Sequence, residues 1–200
     1  MKRIRLGTEY GGWVVDIDGI KPGDVILDLG LGEDISFTEE LVKIRDVTVV
    51  GVDPTEKSHR YVESLASSPL MLVKKAIAKH GVKTMRMYKN SNPSYVSESF
   101  LPGHEYASRE YYEAECVSIT DLRAEYDNIS VVKMDIEGSE YDVLPECIGI
   151  PQICVEFHHF CIIDIGIDKT QKCIRMLSDN GYDIIDENIH KTEYTFKLRH

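Results

Sequence analysis

A wound α/β sheet is the fold class this 200-residue sequence predicts, on three observations. Residues 24–29, DVILDL, form an apolar run with turn chemistry on both sides: Lys21-Pro22-Gly23 before, Gly30-Leu31-Gly32 after. Parallel strands buried on both faces look like this. A helical pattern follows from Ser36 to Arg45, where Phe37, Leu41 and Ile44 recur at one face and Ser36 with Glu39 can make a capping box. A second apolar run, Val47 to Val52, closes in Asp53-Pro54. Strand, helix, strand is the unit from which wound sheets are built.

The later elements extend the pattern. Thr55 opens a helix carrying His59, Val62 and Leu65. Leu70 to Ala78 and Val82 to Tyr88 read as a strand pair, a hairpin around His80-Gly81. Asn90 to Ser108 is polar and aperiodic, a long loop of the kind that often serves as a binding lid, so 90–108 is expected on the substrate side. Glu115 to Ile119 reads as a strand, Thr120 to Tyr126 as a short helix, and Ile129 to Met134 as a central strand ending in Asp135. A helix near Ser139 to Cys147 leads to a buried strand, Gln152 to Phe157. A helix from Lys169 to Asn180 then precedes an antiparallel pair, Tyr182 to Glu187 and Glu193 to Leu198. The length suits one domain, 1–200, because folds of this size bury roughly 70% of their extended-chain surface.

Composition narrows the function. With 23 basic against 34 acidic residues the net charge is -11, which argues against a nucleic-acid groove, since phosphate binding is driven by clustered Lys and Arg. The five cysteines (Cys116, Cys147, Cys154, Cys161, Cys173) include no C-x-x-C pair and read as reduced thiols. The basic N-terminus lacks the apolar core of a signal peptide, and no run nears the roughly 18 apolar residues of a membrane span. A cytoplasmic chain with no membrane partner is the expectation.

The Gly30-Leu31-Gly32 loop invites a nucleotide, but a dinucleotide fingerprint would carry a third glycine where Ile35 stands. Glu33 and Asp34 put negative charge at the positive end of a helix dipole. That stabilises the helix by about 0.3 to 1 kcal/mol and repels a phosphate. S-adenosylmethionine, with ribose, adenine, a sulfonium and no phosphate, escapes the repulsion. Asp53 stands where an acid would receive both ribose hydroxyls. The expected cofactor residues are thus Asp28, Gly30, Gly32, Glu33, Asp34, Asp53 and Pro54. Glu33 and Asp34 as plain helix-start acids, and Asp53-Pro54 as an ordinary turn, are the competing readings.

These residues resemble the FkbM-type family of S-adenosylmethionine-dependent methyltransferases. The matching pieces run in the family's order: YGGW at Tyr10–Trp13, GEDISF at Gly32–Phe37, DPT at Asp53–Thr55, KMDIEGSEYDVL at Lys133–Leu144, VEFHH at Val155–His159 and EYTF at Glu193–Phe196. Leu31 departs from the pattern, since relatives often carry a small residue between the glycines. The resemblance implies a Rossmann-like class I methyltransferase fold, a mostly parallel seven-stranded sheet with helices on both faces and an antiparallel last strand. It also implies O-methylation of a hydroxyl, here on a small molecule, a sugar or a glycan.

Because ligands bind outside the carboxyl ends of strands in such sheets, Asp135, Glu137, Glu156 and His158 are expected to form the catalytic side. His158 has a suitable unperturbed pKa for a base, and Asp135 can orient the acceptor or assist. The same Asp135, Glu156 and His158 can instead ligate a divalent metal, a reading not favoured. Glu137 as a helix cap and His158 as a satisfied core histidine are the plainer alternatives. Lys133, inside its strand, needs an acidic partner or an edge. Glu140 and Tyr141 read as helix surface and packing face. Tyr10-Gly11-Gly12-Trp13, within an N-terminal segment 1–20, is a lid or a packed hairpin, and Asn92, Ser97, Ser99 and His104 are candidates for acceptor recognition. A non-catalytic nucleoside-binding module on the same fold is the alternative from another class. An NAD-dependent dehydrogenase is disfavoured by the missing glycine.

Overall fold

The computed structural model describes residues 1–199. An N-terminal hairpin, β1 (Arg3–Leu6) and β2 (Trp13–Asp16), precedes the first central strand, β3 (Val25–Leu29), every residue of which is buried. Then come α1 (Ser36–Ile44), β4 (Thr48–Val52), α2 (Glu56–Ser64), β5 (Met71–Val73), β6 (Ala76–Ile77), β7 (Thr84–Asn90) and β8 (Ala107–Val117). The chain continues through α3 (Ile119–Glu125), β9 (Ile129–Met134), α4 (Glu140–Val143), β10 (Gln152–Glu156), α5 (Ile167–Asp179), β11 (Tyr182–Glu187) and β12 (Glu193–Leu198).

The main sheet has seven strands in the order β11-β12-β10-β9-β3-β4-β5. All neighbours are parallel except the two pairings of β12, the last strand, which runs antiparallel to β10 and β11. From β3 the chain builds outward to β4 and β5, then returns to place β9 and β10 on the other side. The order therefore reverses between β3 and β9, the position where wound sheets open a ligand crevice.

Alternation along the strands feeds two cores. Leu27, Leu29, Val132 and Val155 face Ile119, Leu122, Val143 and Leu177 of α3, α4 and α5. Ile26, Val49, Val131 and Cys154 face Phe37, Leu41 and Val62 of α1 and α2, together with Trp13 and Val15 of the hairpin. Helices thus cover both faces, as expected. At about 25 cal/mol per Å² of apolar surface removed from water, these layers supply the main driving force of the fold.

Several local expectations are corrected. The capping box at Ser36 does not form: Ser36 Oγ accepts from Thr8 N, while Asp34 receives the Ser36 amide. Ile44 is 44% exposed, so the buried stripe of α1 ends at Leu41. Residues 70–78 and 82–88 do not pair with each other. Instead β5 joins β4 at the sheet edge, whereas β6 and β7 flank β8 in a separate three-stranded sheet. The cause is β8, eleven residues long, whose exposed stretch Arg109–Tyr111 hides its strand character and which gives both segments a partner. The helix expected over 139–147 is one α turn that tightens into a 3-10 turn at Leu144–Cys147, where Pro145 has no amide to donate. Residues 91–106 form the long loop, anchored by Asn90, whose side chain donates to Ser97 O.

Candidate active site

The glycine loop meets the end of β9 at the reversal of strand order. Gly30 has φ +79°, and a Cβ there would sit 1.7 Å from the Asp135 carbonyl oxygen, so no side chain fits. Gly32 is also left-handed, at φ +54°. Leu31 is 2% exposed and packs over Gly51 of β4, where a Cβ would come within 3.0 Å of it.

The acids expected around a cofactor divide into three groups. Asp28 is buried beneath the loop and does not reach the cleft. It accepts from Thr38 Oγ1 at 2.6 Å and pairs with Lys133 at 3.0 Å, its neighbour across the β3–β9 register. Lys133 in turn donates to Gly30 O, so this ion pair fastens the loop from below; burial opposes the lysine's charge, but Asp28 and Asp135 hold its pKa above the ordinary value. Asp53 is likewise turned inward. One oxygen accepts from the amides of Leu31 and Gly32, the other from the amide and hydroxyl of Thr55. A carboxylate offers about four acceptor sites and four donors of the chain itself point at this one, so Asp53 lines the cleft while bracing the glycine loop against Thr55. Asp34 ties the hairpin to α1 by accepting from Thr8 Oγ1 and Ser36 N. Glu33 alone is exposed and unbonded at the rim, with Pro54 also in the wall.

Glu98 was not foreseen. It projects from the 91–106 loop into the same cleft, where Tyr112 donates to one of its oxygens at 2.7 Å and burial raises its pKa. No sequence period marks a residue on a loop, so only a contact across the fold reveals it.

The carboxyl ends of β9 and β10 bring Asp135, Glu137, Glu156 and His158 together as expected. Glu137 sits at φ +51°, a strained conformation for a side chain of its size. His104 donates to it at 3.0 Å, and Ser99 Oγ donates to its carbonyl. Although burial works against ionisation, His104 and His158 hold the Glu137 carboxyl below its usual range. His158 Nε2 lies 3.4 Å from both Asp135 and Glu137, while its Nδ1 bonds to the fully buried Glu140. Glu140 is therefore not helix surface.

Burial and neighbouring charges shift the members of this group in different directions. Burial pushes Asp135 up to about 6, with Glu137 adding to the rise and His158 opposing it. Burial also pushes Glu156 up to about 8, helped by Asp135 and by Glu193, its directly opposed neighbour on β12. His158 moves the other way: burial disfavours its charge, yet Glu140, Glu137 and Asp135 hold it well above its normal value. A raised imidazole pKa favours the charged, hydrogen-bond-donating form, which suits His158 to holding its carboxylate neighbours. His159 points elsewhere, toward Thr170 of α5.

Two connected chambers result. The first is walled by the glycine loop, Tyr10, Trp13, Ile77, Met85 and Met87, and carries eight acidic side chains (Glu33, Asp34, Asp53, Glu98, Asp135, Glu137, Glu156, Glu193) against one lysine, Lys133. The second adds Glu9, His104, Tyr106, His158, Phe160 and Cys161. Tyr10, Ser97, Asp135, Glu137, Glu156 and Glu193 line both. Of the other polar candidates, Ser99 is used in holding Glu137, and Asn92 closes a turn on Ser94. Among the described residues, ligand atoms of Asp135, Glu156 and His158 lie within 4.8 Å of one another, as do those of His104, Glu137 and Cys161.

Sheet order, glycine loop and strand-end acids together define a Rossmann-like fold of the class I methyltransferase type. The sequence matches the methyltransferase FkbM domain over residues 24–184, and the chain belongs to that family. A comparison with curated protein sequences returns no match. Among solved structures, one in a crystal structure of a fibrillarin/Nop5p complex superposes with a TM-score of 0.53 at 8% identity, over 90% of this chain and 75% of that one. Precorrin-6y C5,15-methyltransferase from Geobacter metallireducens GS-15 gives 0.47 at 10% identity, over 88% and 80%. Aeropyrum pernix fibrillarin, with natively bound S-adenosyl-L-methionine, gives 0.46 at 11% identity, over 88% and 66%.

Proposed function

We propose that the chain, acting as one domain over residues 1–200, transfers a methyl group from S-adenosylmethionine to a hydroxyl of a small molecule, a sugar or a glycan. The observation that carries this reading is the pair of chambers sharing Asp135, Glu137 and Glu156. One chamber suits a nucleoside: glycine backbone on one side, Ile77, Met85 and Met87 on another, and a wall so acidic that a phosphate is repelled and a cation welcomed. The other suits an acceptor, with aromatic Tyr106 and Phe160 beside carboxylates able to bond hydroxyls.

When bound, the cofactor supplies an electrophilic methyl on a sulfonium. The chain's own groups do the rest. Asp135, with its pKa near 6, is ionised at neutral pH and still basic enough to receive the acceptor's proton. Glu156, near 8, keeps its proton and donates a hydrogen bond to the acceptor. Glu137, pinned by His104, and the charged His158 hold the wall around Asp135 in place. Tyr10, at the hairpin tip and lining both chambers, covers the junction and excludes water. Gly30, Gly32, Glu33 and Glu98 contact the nucleoside, with Asp34, Asp53 and Pro54 shaping the loop. Cysteines that are all free thiols suit a reducing compartment such as the cytoplasm.

The test is to titrate S-adenosylhomocysteine by calorimetry and then screen hydroxylated acceptors for its release from S-adenosylmethionine. Asp135→Asn is expected to retain S-adenosylhomocysteine binding while lowering turnover at least a hundredfold. A wild-type protein that binds the nucleoside but transfers to no acceptor class supports the binding-module alternative, and one that binds NAD instead rejects the cofactor. Turnover abolished by a chelator and restored by Mn²⁺ would move Asp135, Glu156 and His158 to a metal role.

A further inference from the structure

We propose that Glu140 is the positioning residue of the acceptor chamber: one oxygen clamps His158 so that Nε2 faces Asp135 and Glu137, and the other fixes the backbone that presents Glu137. This rests on the reading of the chamber as the place of transfer.

Burying a carboxylate costs several kcal/mol unless it is fully hydrogen-bonded, and Glu140 is 0% exposed on a helix of only four residues. Both oxygens are engaged. Oε1 accepts from His158 Nδ1, and Oε2 accepts from Gly138 N at 2.7 Å. The Gly138 amide is available because the chain turns sharply there, with Glu137 at φ +51° and Gly138 at φ +111°. A Cβ on Gly138 would lie 2.8 Å from Ile162 and 3.0 Å from Leu101. A single side chain therefore joins the end of β9, which carries Glu137, to the end of β10, which carries His158. Neither group is held in the chamber by its own strand alone.

The groups facing His158 come from every side. Asp135 and Glu137 approach from the β9 end, Glu140 from α4, and Glu156 from β10. His104 reaches Glu137 from the 91–106 loop, and Cys161 lies on the following turn, its thiol directed at the His158 carbonyl. Glu140 is the partner of Nδ1, so it decides which nitrogen is left for the chamber.

Glutamine is an informative replacement. Its amide has one acceptor oxygen and one donor nitrogen, so Glu140→Gln can satisfy only one of the two donors and turns an N–H toward the other. The experiment is long-range ¹H–¹⁵N correlation of histidine-labelled protein saturated with S-adenosylhomocysteine, with the His158 signal assigned by its loss in His158→Gln. In the wild type Nδ1 is expected to stay protonated from pH 6 to 8. In Glu140→Gln it is expected to shift toward a mixed tautomer, with less than a threefold change in S-adenosylhomocysteine affinity. Glu140→Asp, which keeps the charge but is one methylene short, is expected to fall between. Val143→Ala, which opens a cavity on the same turn, is expected to lower the melting temperature and leave the His158 signal unmoved. A wild-type-like Nδ1 signal together with an unshifted Gly138 amide in Glu140→Gln, or in Glu140→Asp if the glutamine variant does not fold, overturns the proposal. A wild type that fails to bind S-adenosylhomocysteine sinks the methyltransferase reading instead, and the His158 signal recorded without it still decides the clamp.

Discussion

Glu98 and Asp53 lie in one cleft, but only Glu98 has an oxygen free of bonds from the chain. Glu98→Gln is therefore expected to weaken S-adenosylhomocysteine binding about tenfold, the worth of one hydrogen bond to a charged group. An unchanged dissociation constant in calorimetry would remove Glu98 from the nucleoside site. Glu156 gives a second prediction, in which the sign follows from its raised pKa. The unfolded carboxyl loses its proton near its ordinary value and the folded one only near 8, so between about pH 5 and 8 the native state holds more protons and stability falls as pH rises. His158, raised above its normal value, adds stability below about pH 6.5 that is lost as pH climbs through its folded pKa, a trend in the same direction. Glu156→Gln is expected to flatten the slope of denaturation midpoint against pH and to stabilise the protein at pH 8 by on the order of 2 kcal/mol, a value reduced for the chamber's access to water. The positions of Gly30 and Asp135 were legible because each directly follows a buried strand whose end the sequence marks. Glu140 and Glu98 were not, since one lies on a single turn with no period and the other on a loop. The Asp28–Lys133 pair depends on a strand register between segments far apart in sequence.

At the scale of elements, the central strands and long helices were readable because burial on both faces erases polar residues from the strands and a helix repeats its apolar stripe. The small sheet was misread for the opposite reason. The outer face of β8 is polar and its partners approach from two different directions, so local alternation pointed β6 and β7 at each other. The N-terminal hairpin packs through Trp13 and Val15, which are core, while Tyr10 at its tip is 82% exposed and lines the cleft. Its attachment to α1 is polar. Asp34 receives Thr8 Oγ1, Ser36 Oγ receives Thr8 N, and Glu40 receives Gly7 N at 2.8 Å. Asp34→Ala removes the first of these along with the bond to the Ser36 amide, a loss of about 1 kcal/mol by analogy with helix caps. Hydrogen exchange is expected to accelerate at Gly7, Thr8 and Gly11 while the amides of β3 stay protected. Equal acceleration in both places would mean that the hairpin is no separate unit.

The charge of the whole molecule, -11, becomes chemically specific only where the fold concentrates it. Surface acids are screened within roughly 8 Å at physiological salt, whereas eight acidic side chains line the first chamber with one lysine among them, itself committed to Asp28 and Gly30. A dinucleotide would bring two phosphates into that field without a third glycine to receive them, and the helix N-terminus that might have compensated is already occupied by Asp34. A phosphate-free nucleoside bearing a cation meets the opposite situation. Ligand present at a hundred times its dissociation constant adds about 2.7 kcal/mol to stability. For a chain of this length that is a rise of roughly 5–10 °C in melting temperature. S-adenosylhomocysteine, and S-adenosylmethionine more strongly because of its sulfonium, are expected to produce such a rise, while NAD at the same concentration is expected to produce none. Raising the salt should narrow the gap between the two adenosyl ligands and leave their common gain over NAD, since screening acts on the sulfonium's attraction and not on the fit of adenine and ribose. A larger rise with NAD than with either ligand would show that the acids lie outside the cleft's working field, and the cofactor reading would fall with them.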